Sequence, residues 1–331
     1  MMNQAVSFFD LHDSRVNIAD PYDHEYHVKV PKVFCGITID EYYSKRFPYK
    51  TRDLWMKSIE EGRVRINGLP ITPDTVIQPE AIIDSLVYDI REPPINVSWN
   101  VLFEDEYLYI IDKPGHLPVH PTGRFYKHSF LQIMMDRDPG WKIHVMHRLD
   151  VETSGILIVG KTKEAASAFF KIFKNKEIQK EYKALVRGAF PKEGIIVDGP
   201  LGKSINSTIS VKMEVNGVDN KEAISKYELL ELRENGTSLI KCIPITGRTN
   251  QLRAHIEHAG FPILGDKIYC KDDSIFHDYH EDGETESLKK KLILNRQALH
   301  AYKVSFIHPF TKEQMTIESD FPDDINYFGE V

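Results

Sequence analysis

The sequence predicts an α+β protein: a small N-terminal module, then a larger domain with a central mixed, largely antiparallel sheet. Three observations carry that expectation. The 331 residues are about twice the length of a typical single domain. Glu92-Pro93-Pro94 reads as a stiff linker, since consecutive prolines continue neither a helix nor a central strand. Beyond it, short period-two segments and helices follow one another without the strict alternation of a doubly wound fold.

Residues 1–29 read as a polar lead-in without a clear period, and residues 30–92 as a compact unit. Within that unit Thr51 can cap a helix that has Asp53 in its first turn, Leu54, Trp55 and Ile59 on its apolar side, and Gly62 at its end. Arg63-Val64-Arg65-Ile66 alternates with period two, and Asn67-Gly68 is a hairpin signal. Both arginines therefore share one face, and Val64 and Ile66 take the core side.

Residues 96–331 form the second domain. Leu108–Ile111 is an expected strand, residues 116–147 are loop-rich, and a short helix is expected over 130–135. Thr162 caps a helix whose Ala165, Ala166, Phe169, Phe170, Ile172 and Phe173 share a face. Lys180–Val186 alternates as a strand, and further short strands run to Ile245. A helix starts near Thr249 with Leu252, Ile256 and Ala259 as its buried stripe and Gly260 as its stop. The acidic stretch from Lys271 to Ser287 holds seven acids and one lysine and reads as an inserted mobile loop.

Composition narrows the class. Hydrophobic residues at 41% and charged residues at 27% are those of an ordinary globular protein. No apolar run approaches the ~20 residues needed to span a bilayer, so no membrane association is expected. Met1–Asp20 has no basic region ahead of an apolar block, and so does not read as an export signal. Cys35, Cys242 and Cys270 lie far apart, which argues against a disulfide framework or zinc knuckle and points to a reducing cytoplasm. A monomer is the default state. The net charge of −7 opposes a nucleic-acid partner only in sum. Lys45–Arg65 carries seven basic and three acidic residues and Lys142–Arg187 ten and five, so local basic faces remain. Either run can equally be a solvated face.

The stretch His147-Arg148-Leu149-Asp150-Val151-Glu152-Thr153-Ser154-Gly155 runs straight into the apolar strand Ile156–Val159. A polar turn against a rigid strand is a setting for exposed chemistry. By itself Asp150 could be a turn residue, a cap or a surface acid. Arg253 could form an ordinary surface pair with Glu257, and Tyr182 could be a core aromatic. His144, His147 and Asp150, with His255 and His258, also offer a metal set, although the turn at Gly155 disfavours one helix through them.

This stretch resembles the catalytic motif HRLDxxTSG of the RluA-type pseudouridine synthases. Lys180-Glu181-Tyr182-Lys183-Ala184, "PITGRTNQLRAHIEHAGFPILGDKIY" and "ALHAYKVSFIHPFT" resemble the family's later motifs, in order and across most of residues 96–312. Residues 54–85 resemble an S4 (αL-like) RNA-binding domain, and the whole arrangement resembles eukaryotic-type members that modify tRNA. The resemblance implies isomerisation of uridine in structured RNA, tRNA first and rRNA second, with neither cofactor nor metal. It implies Asp150 as catalytic carboxylate, Arg253 as its basic partner and Tyr182 as the aromatic at the target base. Arg148 would fill the gap left by the everted nucleotide, Leu299 would wall the pocket, and Lys57, Arg63 and Arg65 would face RNA. Asn250 stands where the family commonly has histidine. A catalytically silent S4-type RNA-binding protein is the rival reading.

Overall fold

The computed structural model describes residues 15–47, 50–137 and 143–329. The chain divides into two compact units, Ile18–Pro93 and the remainder, so the break falls at the expected proline pair.

In the first unit the sheet order is Tyr22–Lys29, Ile82–Ile90, Val64–Ile66, Leu69–Pro70. The helices Ile39–Arg46 and Arg52–Glu60 share with it a core that includes Ile39, Tyr43, Trp55, Ile59, Val64 and Ile83. The second half of the expected lead-in is thus a strand of this sheet, paired antiparallel with Ile82–Ile90. Its period is hard to read because both of its faces carry polar residues. The lead-in's first fourteen residues lie outside the described residues. Asn67 and Gly68 both have positive φ, as a two-residue hairpin turn requires. Leu54 departs from expectation: it is half exposed, and Trp55 and Ile59 alone carry the buried side of their helix. Arg65 pairs with Glu25, Arg63 with Glu61 at 2.8 Å, and Lys57 lies 3.9 Å from Glu61, so acids partly neutralise all three basic residues.

The second unit is organised by a ten-stranded sheet. Its main path runs Ile195–Asp198, Ile224–Leu232, Thr237–Pro244, Gln179–Arg187, Leu299–Ile307, Ser154–Gly160, Leu108–Lys113, Asn100–Glu104. Every pairing is antiparallel except that of Ser154–Gly160 with Leu299–Ile307, where Ser154 faces His300 and Gly155 faces Ala301. This is the mixed, largely antiparallel sheet that the sequence predicts.

Ser154–Gly160 is buried along its whole length, which explains its unbroken apolar run. Ile156 and Ile158 pack with Phe169 and Phe306 on one side, whereas Leu157 and Val159 pack with Ile111 and Phe130 on the other. Helix Lys163–Lys174 covers the first side, capped by Thr162, whose side chain accepts from Ala165 N at 3.0 Å. Phe170 is not on its buried face: it is 65% exposed. Ala165 and Phe169 form that face, with Ile172 and Phe173 half-buried beside them, and residue 170 lies about 100° round from 169.

At the parallel junction the strands approach closely. Gly155 has φ +106°, and a Cβ there would meet Ala301 O at 2.3 Å, so only glycine fits. The stretch 271–287 is not an irregular loop. It forms helices Asp273–Asp282 and Glu286–Leu292, capped by Asp272 and Thr285, and Ile275, Leu288 and Leu292 bury against each other beside Tyr279. Its acids hide three apolar positions spread over two short helices, too few for a visible stripe. Among the described residues no helix is long and apolar enough to cross a membrane.

Candidate active site

The turn carrying Asp150 is fastened from behind. Thr153 N donates to Asp150 O at 3.2 Å, closing the turn. Lys113, fully buried, donates from Nζ to Pro114 O and Leu117 O at 2.7 and 2.9 Å, fixing the neighbouring loop. Burial, with Arg296 adding to it, pushes the Lys113 ammonium well below its usual value, and the charges of Asp150 and Asp112 offset this only in part. Glu152 Oε1 takes Lys267 Nζ at 2.5 Å, and its Oε2 accepts from Gln297 N at 3.1 Å. Arg296, also buried, donates to Glu152 O at 3.0 Å and forks onto Asp324 at 2.5 and 2.7 Å. Gln297 Nε2 donates to Thr153 Oγ1 at 2.5 Å. Side chains from several chain segments thus hold one four-residue turn.

Asp150 itself is one-third exposed and opens to a cavity of about 360 Å³. Arg253 Nη1 donates to its Oδ2 at 2.8 Å. Arg253 does not make the surface pair with Glu257 that helical spacing allows. It is buried, and its Nε and Nη2 fork onto Asp266 at 2.7 and 2.8 Å, a bidentate pair with fixed direction. Burial pushes the Asp266 carboxyl up, but the Arg253 guanidinium and the backbone N–H groups of Tyr269 and Ile268 outweigh it and leave the group below its ordinary value. Burial likewise opposes the charge on Arg253, and the charges and hydrogen bonds of Asp266 and Asp150 overcome it and raise its pKa. The guanidinium also lies 5.0 Å from the Tyr269 ring.

Helix Gln251–His258 brings Arg253 here through an unusual start. Asn250, its N-cap, has φ +54°, a conformation asparagine tolerates better than most residues. Asn250 Oδ1 accepts a fourth bond of Arg253, from Nη1 at 3.2 Å, so this asparagine still touches the arginine. Gln251 is buried, and its side-chain oxygen accepts from Arg248 N and Thr246 Oγ1 while its nitrogen donates to Ile224 O and Ser225 Oγ. The loop from 246 to 250 is thereby tied to the sheet.

The sheet register brings in the other wall. Tyr182 pairs with Ala301, and Gly155 pairs with Ala301 from the opposite side. The row Tyr182, Ala301, Gly155 therefore sets the tyrosine two strands from the Asp150 turn, with Leu299 on the strand between. Asp150, Tyr182, Arg253, Arg148 and Leu299 all line the same cavity. Burial, and then the charge of Asp150, push the Tyr182 phenol above its ordinary value, so it stays protonated. Arg148 is exposed at the rim, and Leu299 is buried. Lys57, Arg63 and Arg65 lie in the other unit and are not among the lining residues.

Two histidines of the metal alternative are otherwise engaged, and among the described residues no group of three metal-ligating side chains comes together. His147 Nε2 accepts from Ile158 N at 3.1 Å, and burial, then Lys180, holds the ring neutral down to about 3. His255 bonds Ser225 Oγ and Gly199 O. Three residues escaped the sequence reading. Asp266 sits 13 positions beyond Arg253, off any helical period. Lys113 and Lys180 looked like ordinary strand lysines. Their only sequence signal is a lysine inside an otherwise apolar or alternating strand.

Asp266→Ala leaves a buried guanidinium without its main counter-ion, so a loss of about 3–5 kcal/mol in urea unfolding is expected. A loss below about 1 kcal/mol would contradict the anchoring role.

Known proteins fit this geometry. Residues 107–258 match the model of the family described as RNA pseudouridylate synthase. A ribosomal large subunit pseudouridine synthase D of Xylella fastidiosa is 30% identical over 310 residues, covering 89% of each chain. The mitochondrial tRNA pseudouridine(32) synthase of Saccharomyces cerevisiae is 32% identical over 258 residues, 76% of this chain and 54% of that protein. The solved human RNA pseudouridylate synthase domain containing 4 superposes with a TM-score of 0.53 at 24% identity, covering 69% of this chain and 90% of that one, a likeness of fold. With the fold, the motifs and these relatives in agreement, the chain belongs to the RNA pseudouridine synthase family and is an isomerase of RNA uridines.

Proposed function

We propose that this enzyme converts a uridine of structured RNA, tRNA before rRNA, using Asp150 as its reacting carboxylate. The observation that carries the reading is the Asp150 carboxylate at the cavity mouth, held by Arg253 opposite Tyr182. In the isomerisation the N1–C1′ bond breaks, the uracil turns, and C5 bonds to C1′ while the C5 proton leaves and N1 takes one up. No atom is gained and no redox change occurs, so the reaction needs no cofactor. Asp150 can attack C1′ as a nucleophile or remove the C2′ proton as a base, and the guanidinium holds the carboxylate in place for either role. Tyr182 offers a ring for the base to stack on. The target must leave its helix, at a cost of a few kcal/mol. Arg148, exposed at the rim, is suited to stack in the vacated place.

The 32% identity to the yeast tRNA synthase supports tRNA as the substrate. Ribosomal RNA is the second reading, favoured by the end-to-end match to a large-subunit synthase. We assign the Ile18–Pro93 unit an S4-like role in RNA capture, on its paired helices and basic hairpin. The free thiols Cys35, Cys242 and Cys270 suit a cytoplasmic enzyme.

Asp150→Asn is expected to abolish pseudouridine under single-turnover conditions while RNA affinity stays within about threefold. Mapping pseudouridine in total RNA from cells with and without the gene identifies the substrate; no site lost on deletion, together with an active Asp150→Asn enzyme, would refute the proposal. Replacing Arg63 and Arg65 together by alanine should flatten the salt dependence of RNA binding by up to about two contacts. An unchanged slope removes the hairpin from the interface.

A further inference from the structure

Several partly or fully buried lysines of this unit have a carboxylate partner. Lys161 pairs with Glu104, Lys212 with Asp273 and Lys267 with Glu152. Lys180 lines the catalytic cavity, yet among the described residues it forms no ion pair with a carboxylate. Its Nζ lies 5.6 Å from the Phe173 ring centroid, and Phe173 in turn lies 5.3 Å from the His147 ring. The one carboxylate lining the cavity, Asp150, is already engaged by Arg253. A half-buried ammonium that, among the described residues, has a ring beside it and no carboxylate is a cation suited to take an anion.

Register says where that anion must be. Tyr182 shares the Ala301 row with Gly155, just beyond the Asp150 turn, while Lys180 pairs with Val304, farther along the same strand. Two residues of strand put Lys180 about 7 Å from Tyr182, so an anion on Lys180 would sit beside a base stacked on the tyrosine, away from its reacting carbons. The anions that an RNA substrate carries there are its phosphodiesters.

We infer that Lys180 is the cavity's receptor for a phosphodiester oxygen of the target nucleotide, positioning the everted nucleoside against Asp150 and Tyr182. The inference rests on the proposed substrate and adds to it a specific contact. Burial lowers the Lys180 pKa with no acid to offset it, and a bound phosphate would reverse that effect.

The test uses the full chain and the transcript on which the wild-type enzyme makes pseudouridine. Lys180→Met should raise KM about tenfold, the loss of about 1.4 kcal/mol of binding, with kcat within about threefold at saturating RNA. The slope of log(kcat/KM) against log salt should shrink by about one contact, and Lys180→Arg should restore both KM and slope. Lys180→Gln, keeping a polar tip, serves the same comparison should the methionine variant unfold. An unchanged KM and salt slope overturns the inference, as does a loss confined to kcat, which would place Lys180 on the reacting base. Absence of wild-type product on any RNA would instead sink the substrate reading, and this contact with it.

Discussion

The constraint on which the site depends is a buried guanidinium shared between two carboxylates. Arg253 gives its fork to Asp266 and its remaining edge to Asp150. The two carboxylates are not equivalent. Asp266 is fully enclosed and takes two backbone N–H groups besides the arginine, so it serves as the fixed anchor. Asp150 keeps one-third of its side chain open and, among the described residues, accepts one side-chain hydrogen bond, so its remaining lone pairs face the cavity. A single arginine thus neutralises the anchor and aims the acid proposed to react. Burial of such a cluster is costly, and good geometry with complete hydrogen bonding is what makes it tolerable.

The fold supplies the platform through a parallel strand pair, the only one among the described residues. Where Ser154–Gly160 meets Leu299–Ile307, both strands begin at the same end, so the Asp150 turn and Leu299 emerge side by side. The antiparallel neighbour Gln179–Arg187 then presents Tyr182 in the same row. Gly155 permits this close approach, and the Glu152, Arg296 and Gln297 bonds keep the turn from relaxing. The two helices after residue 271 join this support: Glu284, between them, forks with Arg15 at 2.8 and 3.1 Å, linking the segment to the start of the described chain.

Much of the frame was legible because it follows local rules. The apolar run 156–159, the Thr162 cap, the Asn67-Gly68 turn and the Pro93-Pro94 break each have a physical signature within a few residues. Site residues were legible only through motif resemblance. Helical spacing alone offers Arg253 a neighbour in Glu257, and nothing local announces Asp266 or the tether from Arg296 to Asp324. Strand Tyr22–Lys29 was missed because its two faces are both polar, and the helices after 271 because acids outnumber their three buried residues. Phe170 looked buried because a helical stripe read from sequence is wider than the surface it covers. Long-range partners are properties of register, and register becomes visible only when the strands are paired.

The most direct test of the shared guanidinium is the single-turnover rate of Arg253→Lys at saturating RNA. A lysine carries the same charge but has no fork to hold Asp266 while reaching Asp150. The rate should fall by about 100-fold or more, with RNA affinity within about threefold of wild type. A rate near that of wild type would show that charge alone suffices and that the arginine does not aim the carboxylate.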